Sequence, residues 1–289
     1  MRAWFAAFTL LPLLVLSGCQ PAAPFGGRPP AKFINSIVSL SPSTTEITAN
    51  FGRADKLKGR TSSDNFPMTM GAVPIVCDVK PNYEKIAAIK PDLIVYDVSL
   101  YNEADIAKIK ELGFEAYPMD VHTVADFTDW LYRYGTKIGA ETNIAEYVDR
   151  IETEARRGRG LKLRDVPQVA ILMGDTPSEF MIAGLKTFQA DLVKQAGGSP
   201  IGPDAAQYVP LNVEQLIALQ PSVILTTGNP EAILKDPRLA SLPAVKLKRV
   251  ARLTPDIMLR RGARVDILLK SLVKFFSATS VALPTVDSK

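Results

Sequence analysis

Beyond about residue 33, short apolar runs alternate with amphipathic stretches along most of the chain. Residues 34–40 form an apolar run that predicts a strand. The Ser41-Pro-Ser-Thr-Thr-Glu46 segment after it has capping residues and a proline suited to a first helical turn, so a helix begins there. Residues 57–59 predict a short strand leading into a polar loop over 61–67. A strand over 93–96, a helix over 103–112 closed by Gly113, and a strand over 114–119 follow. Thr123-Val-Ala-Asp126 has the form of a capping box with aspartate in the glutamate position, and it predicts a helix to about residue 138. Gly139 ends that helix. A second helix, 141–157, places Ile144, Tyr147, Val148 and Ile151 on one face. Strands over 169–173 and 180–183, a helix over 188–195, a strand over 249–253 and a closing amphipathic helix over 265–276 complete the pattern. Alternating strands and helices predict a parallel α/β sheet with its sites at the carboxyl ends of the strands.

One unit of this pattern occurs twice. Residues 79–95 and 209–225 match at a constant offset of 130 without a gap: Asn82/Asn212, Glu84/Glu214, Ala88/Ala218, Pro91/Pro221 and Ile94/Ile224. In each copy an asparagine caps a helix and a glutamate sits in its first turn, where the helix dipole favours negative charge. Ile86 and Ile89, or Leu216 and Leu219, supply the buried stripe. A proline then stops the helix before a short buried strand. A single repeat at this distance predicts two similar lobes rather than a solenoid. The strand-free stretch 140–164 is the natural connection between them. Its basic end, Arg156 to Arg164, has the character of a solvated helix terminus.

At 289 residues the chain is long enough for two ordinary domains. An apolar fraction of 47% and a charged fraction of 22% belong to a globular protein, and a net charge of +4 spread along the chain gives no case for nucleic acid as a partner. The amino terminus has a cation at Arg2, an apolar stretch over 3–16, and then Leu16-Ser17-Gly18-Cys19. This is the form of a bacterial lipoprotein signal peptide, residues 1–18, cleaved before a lipidated Cys19; an ordinary secretory signal is the plainer alternative. Residues 19–32, rich in Pro, Gly and Ala, then act as a tether. The expected location is the cell envelope, with the chain lipid-anchored in the periplasm or on the outer face of the cytoplasmic membrane. Acylation of Cys19 leaves Cys77 without a disulfide partner.

Ile37-Val-Ser-Leu-Ser-Pro-Ser-Thr-Thr-Glu-Ile47, Asn82-x-Glu84-x-Ile86 with Lys90-Pro-Asp-Leu-Ile94, Ala183-Gly184, Ala196-Gly-Gly198 and Asp256-x-x-x-Arg260-x-Gly262-x-Arg264 resemble the iron-complex/cobalamin-type periplasmic binding proteins of ABC importers, the helical-backbone class. The resemblance covers nearly all of residues 33–277. It implies an α/β fold of two Rossmann-like lobes with parallel sheets, 33–139 and 165–289, joined by a long rigid helix. It also implies a ligand held between the lobes, no catalysis, no cofactor of its own, and a monomer that meets an ABC permease and its ATPase. In the family, one glutamate on each lobe docks onto permease arginines; the matching positions are Glu84 and Glu214.

A cleft built from strand-end loops would be lined by Ser41, Ser62, Ser63, Asp64, Phe66, Asp97 and Tyr101 from the first lobe. From the second come Met173, Asp175, Phe180, Tyr208, Asn229, Asp256 and Arg260. The expected ligand is a metal chelate: cobalamin or a related corrinoid, with a ferric siderophore or haem as alternatives. The chain departs from the corrinoid-binding pattern at Asp78 and Ser63, where aromatics are common, while Phe66, Tyr96, Tyr101, Phe180 and Tyr208 offer substitutes. Arg260 suits an anionic siderophore or haem propionates, or else pairs with Asp256 at helical spacing. Bare zinc or manganese is a poor fit, because His122 is the single histidine and sits just before a helix. A serine hydrolase is the rival class, but no Gly-x-Ser-x-Gly elbow is present.

Overall fold

A computed structural model describes residues 33–278. The signal peptide, Cys19 and the rest of the tether all lie outside the described residues. The strands are β1 Ile37–Ser39, β2 Leu57–Thr61, β3 Ile75–Cys77, β4 Leu93–Asp97, β5 Ala116–Met119, β6 Gln168–Met173, β7 Met181–Ala183, β8 Ser199–Pro200, β9 Tyr208–Pro210, β10 Val223–Thr226 and β11 Val250–Arg252. The helices are α1 Pro42–Thr48, α2 Tyr83–Ile89, α3 Glu103–Glu111, α4 Val124–Ile138, α5 Glu141–Arg159, α6 Phe188–Gln195, α7 Val213–Leu219, α8 Pro230–Leu234, α9 Pro243–Lys246, α10 Pro255–Met258 and α11 Val265–Ser277.

Two sheets result. The first runs β3-β2-β1-β4-β5 and is parallel throughout. The second runs β11-β10-β6-β7-β9, with β8 also paired to β6. It is mixed: β6, β8, β10 and β11 are parallel, whereas β7 runs antiparallel to both of its neighbours, β6 and β9. The departure from an all-parallel second sheet has a local cause. The turn after β6 is too short for a crossover helix, so the chain doubles back as a hairpin.

Local chemistry sets the element ends. Ser41 accepts from Thr44 N at the start of α1, with Pro42 in the first turn. Thr123 and Asp126 complete the capping box of α4, and Gly139 closes that helix at φ 70. The repeat units match in detail: Asn82 caps α2 and Asn212 caps α7, and each helix ends on a left-handed residue, Lys90 at φ 52 and Gln220 at φ 47.

Side chains alternate across each strand, so every strand feeds two layers. Val38, Ile94 and Ile86 fill an outer layer on the first sheet, and Ala170, Ile224 and Leu216 do so on the second. The inner faces, with Ile37 and Val95 from one sheet and Val169 and Leu225 from the other, share one continuous core with α4, α5, α6 and α11. Tyr147 of α5 lies at its centre, stacked on Phe51 at 4.6 Å. Its hydroxyl donates to Gly262 O and accepts from Val265 N. At 19 residues α5 is about 28 Å long, enough to run alongside both sheets. No helix among the described residues is long and apolar enough to cross a membrane.

Candidate functional site

The carboxyl ends of the parallel strands carry the loops around 41, 62–66, 97–101, 120–123, 174–178, 227–230 and 253–264. The last of these leaves β11 of the second sheet and lies among the loops of the first. Its anchor is Glu46 of α1, whose side chain is 1% exposed. Arg264 Nη2 donates to Glu46 Oε1 at 2.6 Å and Arg260 Nη1 donates to the same oxygen at 3.0 Å. The other Glu46 oxygen accepts from the Ala263 amide and from Arg264 Nε, each at 3.3 Å. Gly262 lets this happen, since a Cβ there would overlap the Glu46 carboxylate.

Two further contacts widen the bridge. Arg261 Nη2 donates to both carboxylate oxygens of Asp97, at 2.7 and 2.6 Å, and its Nη1 donates to Val121 O. Arg264, 7% exposed, also donates to Asp256 Oδ2 at 3.1 Å and lies 4.4 Å from the Phe66 ring centroid. Burial opposes charge on Arg264, but pairing with Glu46 and Asp256 outweighs it and raises its pKa. Burial likewise opposes charge on Asp256, and the Thr254 side chain together with Arg264 overcomes it, holding that carboxyl below the ordinary range. All three arginines of this loop are thus matched by carboxylates of the same chain.

The residues expected to line the cleft separate into three groups. Several are committed to the fold. Ser41 caps α1. Asp64 accepts from Thr45 Oγ1 at 2.7 Å and from Thr61, and burial pushes its carboxyl up despite those bonds. The Tyr101 hydroxyl donates to Leu40 O and touches Cys77 Sγ at 3.5 Å. Phe180 is buried in the outer core of the second sheet. A second group forms the bridge: Asp97, Asp256, Arg260, the ring of Phe66, and the Ser63 carbonyl, which accepts from Arg260. Arg260 therefore pairs with Glu46 instead of Asp256, and it is Arg264 that takes Asp256. The third group remains on open loops: Ser62, Asp175 and Asn229 are exposed and Met173 is half-buried beside Met181. Tyr208 lies apart from these. It sits on the edge strand β9 opposite Ala183, and its hydroxyl is buried without a hydrogen-bond partner.

Sequence reasoning passed over Glu46, Arg261 and Asn65, which accepts from Arg260. The available signal was charge imbalance: Arg260, Arg261 and Arg264 fall within five residues, with two acids, Asp256 and Asp266, flanking them.

The open loops also carry exposed apolar side chains. Met68 follows β2, Val79 follows β3 and Leu100 follows β4; Met68 and Val79 are each 89% exposed and Leu100 57%. His122, after β5, is exposed, with Nε2 3.1 Å from Asp120 Oδ1. Among the described residues no group of three His, Cys, Asp or Glu is placed to hold a metal ion. Glu84 and Glu214 are both exposed in the first turns of α2 and α7.

Known proteins match over most of this structure. The chain is 27% identical over 238 residues, 79% of its length and 76% of the relative's, to the ABC transporter substrate-binding lipoprotein YvrC of Bacillus subtilis. It is 26% identical over 279 residues, 92% of its length and 95% of the relative's, to a vitamin B12-binding protein of Vibrio vulnificus. The periplasmic heme-binding protein RhuT from Roseiflexus superposes with a TM-score of 0.72 at 24% identity, covering 84% of this chain and 98% of that one. The family model described as periplasmic binding protein spans residues 37–257, from β1 to the start of the arginine loop. With two sheets whose strand ends meet across one buried ion-pair bridge, the chain belongs to the periplasmic binding protein family.

Proposed function

We propose that this chain is the substrate-binding component of an ABC importer that holds cobalamin or a related corrinoid and delivers it to a permease driven by its ATPase. The ligand would lie between lobes 33–139 and 165–289, connected through 140–164. Lipidated Cys19 would tether the monomer at the outer face of the membrane; a lipoprotein among the relatives supports that placement. Glu84 and Glu214 would meet cations of the permease.

One observation carries the choice of ligand. Arg260, Arg261 and Arg264 are each bound to a carboxylate of this chain. No net positive field is left on that loop for a polyanionic ferric siderophore. Apart from two acids, Asp175 and the Asp120 beside His122, what remains open on these loops is apolar or neutral: Met68, Val79 and Leu100 from the first sheet's loops, Met173, Ser62 and Asn229 beside them in type. That suits a large ring with a neutral, amide-rich rim. The vitamin B12-binding relative supports the same choice. Haem is the second reading. It rests on His122, an exposed imidazole at the carboxyl end of β5 held by Asp120, which is a possible ligand for iron.

The test is a thermal-shift and absorbance titration of the purified protein with cyanocobalamin, cobinamide, hemin and ferric siderophores. A ligand at 100 times its Kd adds about 2.7 kcal/mol of stability, which for a unit of this size raises Tm by roughly 5–10 °C. Stabilisation by a corrinoid is expected. Stabilisation by a ferric siderophore alone would overturn the ligand assignment, and a Soret shift lost in His122→Ala would install haem in its place.

A further inference from the structure

The two copies of the repeated unit are nearly superposable in pattern yet unequal in charge. Lys80, Lys85 and Lys90 of the first copy correspond, at the offset of 130, to Pro210, Gln215 and Gln220 of the second. All six side chains are exposed. Over residues 79–95, three lysines stand against Glu84 and Asp92; over 209–225, Glu214 is the sole charge. Their sums are therefore +1 and −1. On α3, Lys108 lies 5.8 Å from the Tyr83 ring centroid and Asp105 accepts from the Tyr83 hydroxyl at 3.4 Å, so these two leave the balance of the first face unchanged.

The surroundings differ as well. Beside Glu214 a groove of about 610 Å³ opens between the β6–β7 turn and α7, lined by Pro177, Phe180, Pro210, Leu211, Val213 and Arg238. Arg238 also interacts with Glu214, but Asp236 holds it with bonds of 2.7 and 3.1 Å, so that pair adds no net charge beside Glu214. On the first face Val79 projects outward instead, while its counterpart Val209 is half-buried in β9.

We propose that the two glutamates head unequal docking surfaces and that the Glu214 face dominates. It would take an arginine or lysine side chain of the permease, with the charged end on Glu214 and the aliphatic stem along the apolar wall of the groove. The Glu84 face would meet an equivalent cation more weakly. Lys80, Lys85 and Lys90 stand within a helix length of it, comparable to the Debye length of about 8 Å at physiological salt, and repel it. The unequal faces would also fix which way round a pseudo-symmetric protein seats on its partner. The inference rests on the docking role given above to both glutamates.

The experiment measures association of the full-length protein with its permease–ATPase complex in nanodiscs, at low and at high salt. Glu214→Lys is expected to lower the association rate by at least about tenfold, and Glu84→Lys by no more than about threefold. Replacing Lys80, Lys85 and Lys90 together by glutamine should raise the association rate at low salt and lose that effect at high salt. Glu214→Gln, which changes little in shape, serves if the reversal perturbs the fold, and should still lower the rate more than Glu84→Gln. Equal losses from the two faces, or a larger loss at Glu84, would overturn the inequality and leave docking intact. If both reversals are silent, the docking role itself fails.

Discussion

Replacing Glu46 by glutamine removes one negative charge from the centre of the bridge while keeping the side chain's shape. The carboxylate is almost fully buried and receives Arg260, Arg264 and the Ala263 amide. Removing one partner of a buried ion pair costs about 3–5 kcal/mol, because the remaining charge stays desolvated. Here the remaining cations are partly provided for. Arg264 keeps Asp256 at 3.1 Å, and Arg260 keeps Asn65 and the Ser63 carbonyl. The loss therefore falls at the low end, about 3 kcal/mol. At about 2–4 °C per kcal/mol for a unit of this size, Tm drops by roughly 6–12 °C. Differential scanning calorimetry at neutral pH reads this directly. The comparison is Lys186→Ala, which breaks an exposed pair of nearly the same length, 2.8 Å, with Asp204. Exposed pairs contribute little, so that variant should melt close to the wild type. If Glu46→Gln melts no lower than Lys186→Ala, the bridge does not carry the stability assigned to it.

Two further outcomes follow from the same geometry. Gly262→Ala should destabilise by pushing the Glu46 carboxylate off its arginines, and the double variant with Glu46→Gln should lose clearly less than the sum of the two; additive losses in a melting cycle would show that the sites act separately. For Asp64, burial raises the folded-state pKa, so the folded protein binds a proton more readily than the unfolded chain. The wild type therefore gains stability relative to Asp64→Asn as pH falls through the raised folded-state range toward the ordinary aspartate value of about 3.9. A Tm difference between the two that is flat across this range, or moves the other way, would refute that assignment.

The parts of the fold legible in the sequence are those written in neighbouring residues. Asn82 and Asn212, the capping box of Thr123 and Asp126, and the stops at Gly113 and Gly139 all act within one helical turn, and each stands where the pattern places it. The short strands β3, β8 and β9 escaped notice. They have two or three residues each, carry exposed or half-buried positions, and exist because a neighbouring strand pairs with them. The bridge was illegible for a different reason. Glu46 and Arg264 are 218 residues apart, and no local rule links them. An acid within a helix of Ser, Thr and Ile resembles any solvated helical glutamate until its burial is seen. Asp97 and Arg260 were picked out as ligand-facing because strand-end loops in α/β folds carry sites; what the pattern did not reveal was that they face Arg261 and Glu46.

The span of the Glu46 contacts also bears on how the chain assembles. The first sheet can form from residues 37–119 alone, but doing so buries a carboxylate whose arginine partners arrive from the last thirty residues of the chain. Until then that half holds a desolvated, uncompensated charge, which penalises its completion. The two sheets are thereby coupled into one cooperative transition, with the arginine loop closing last. A fragment that ends before residue 256 would be held short of its native state, and during synthesis the leading half would remain loosely packed until the final helix emerged.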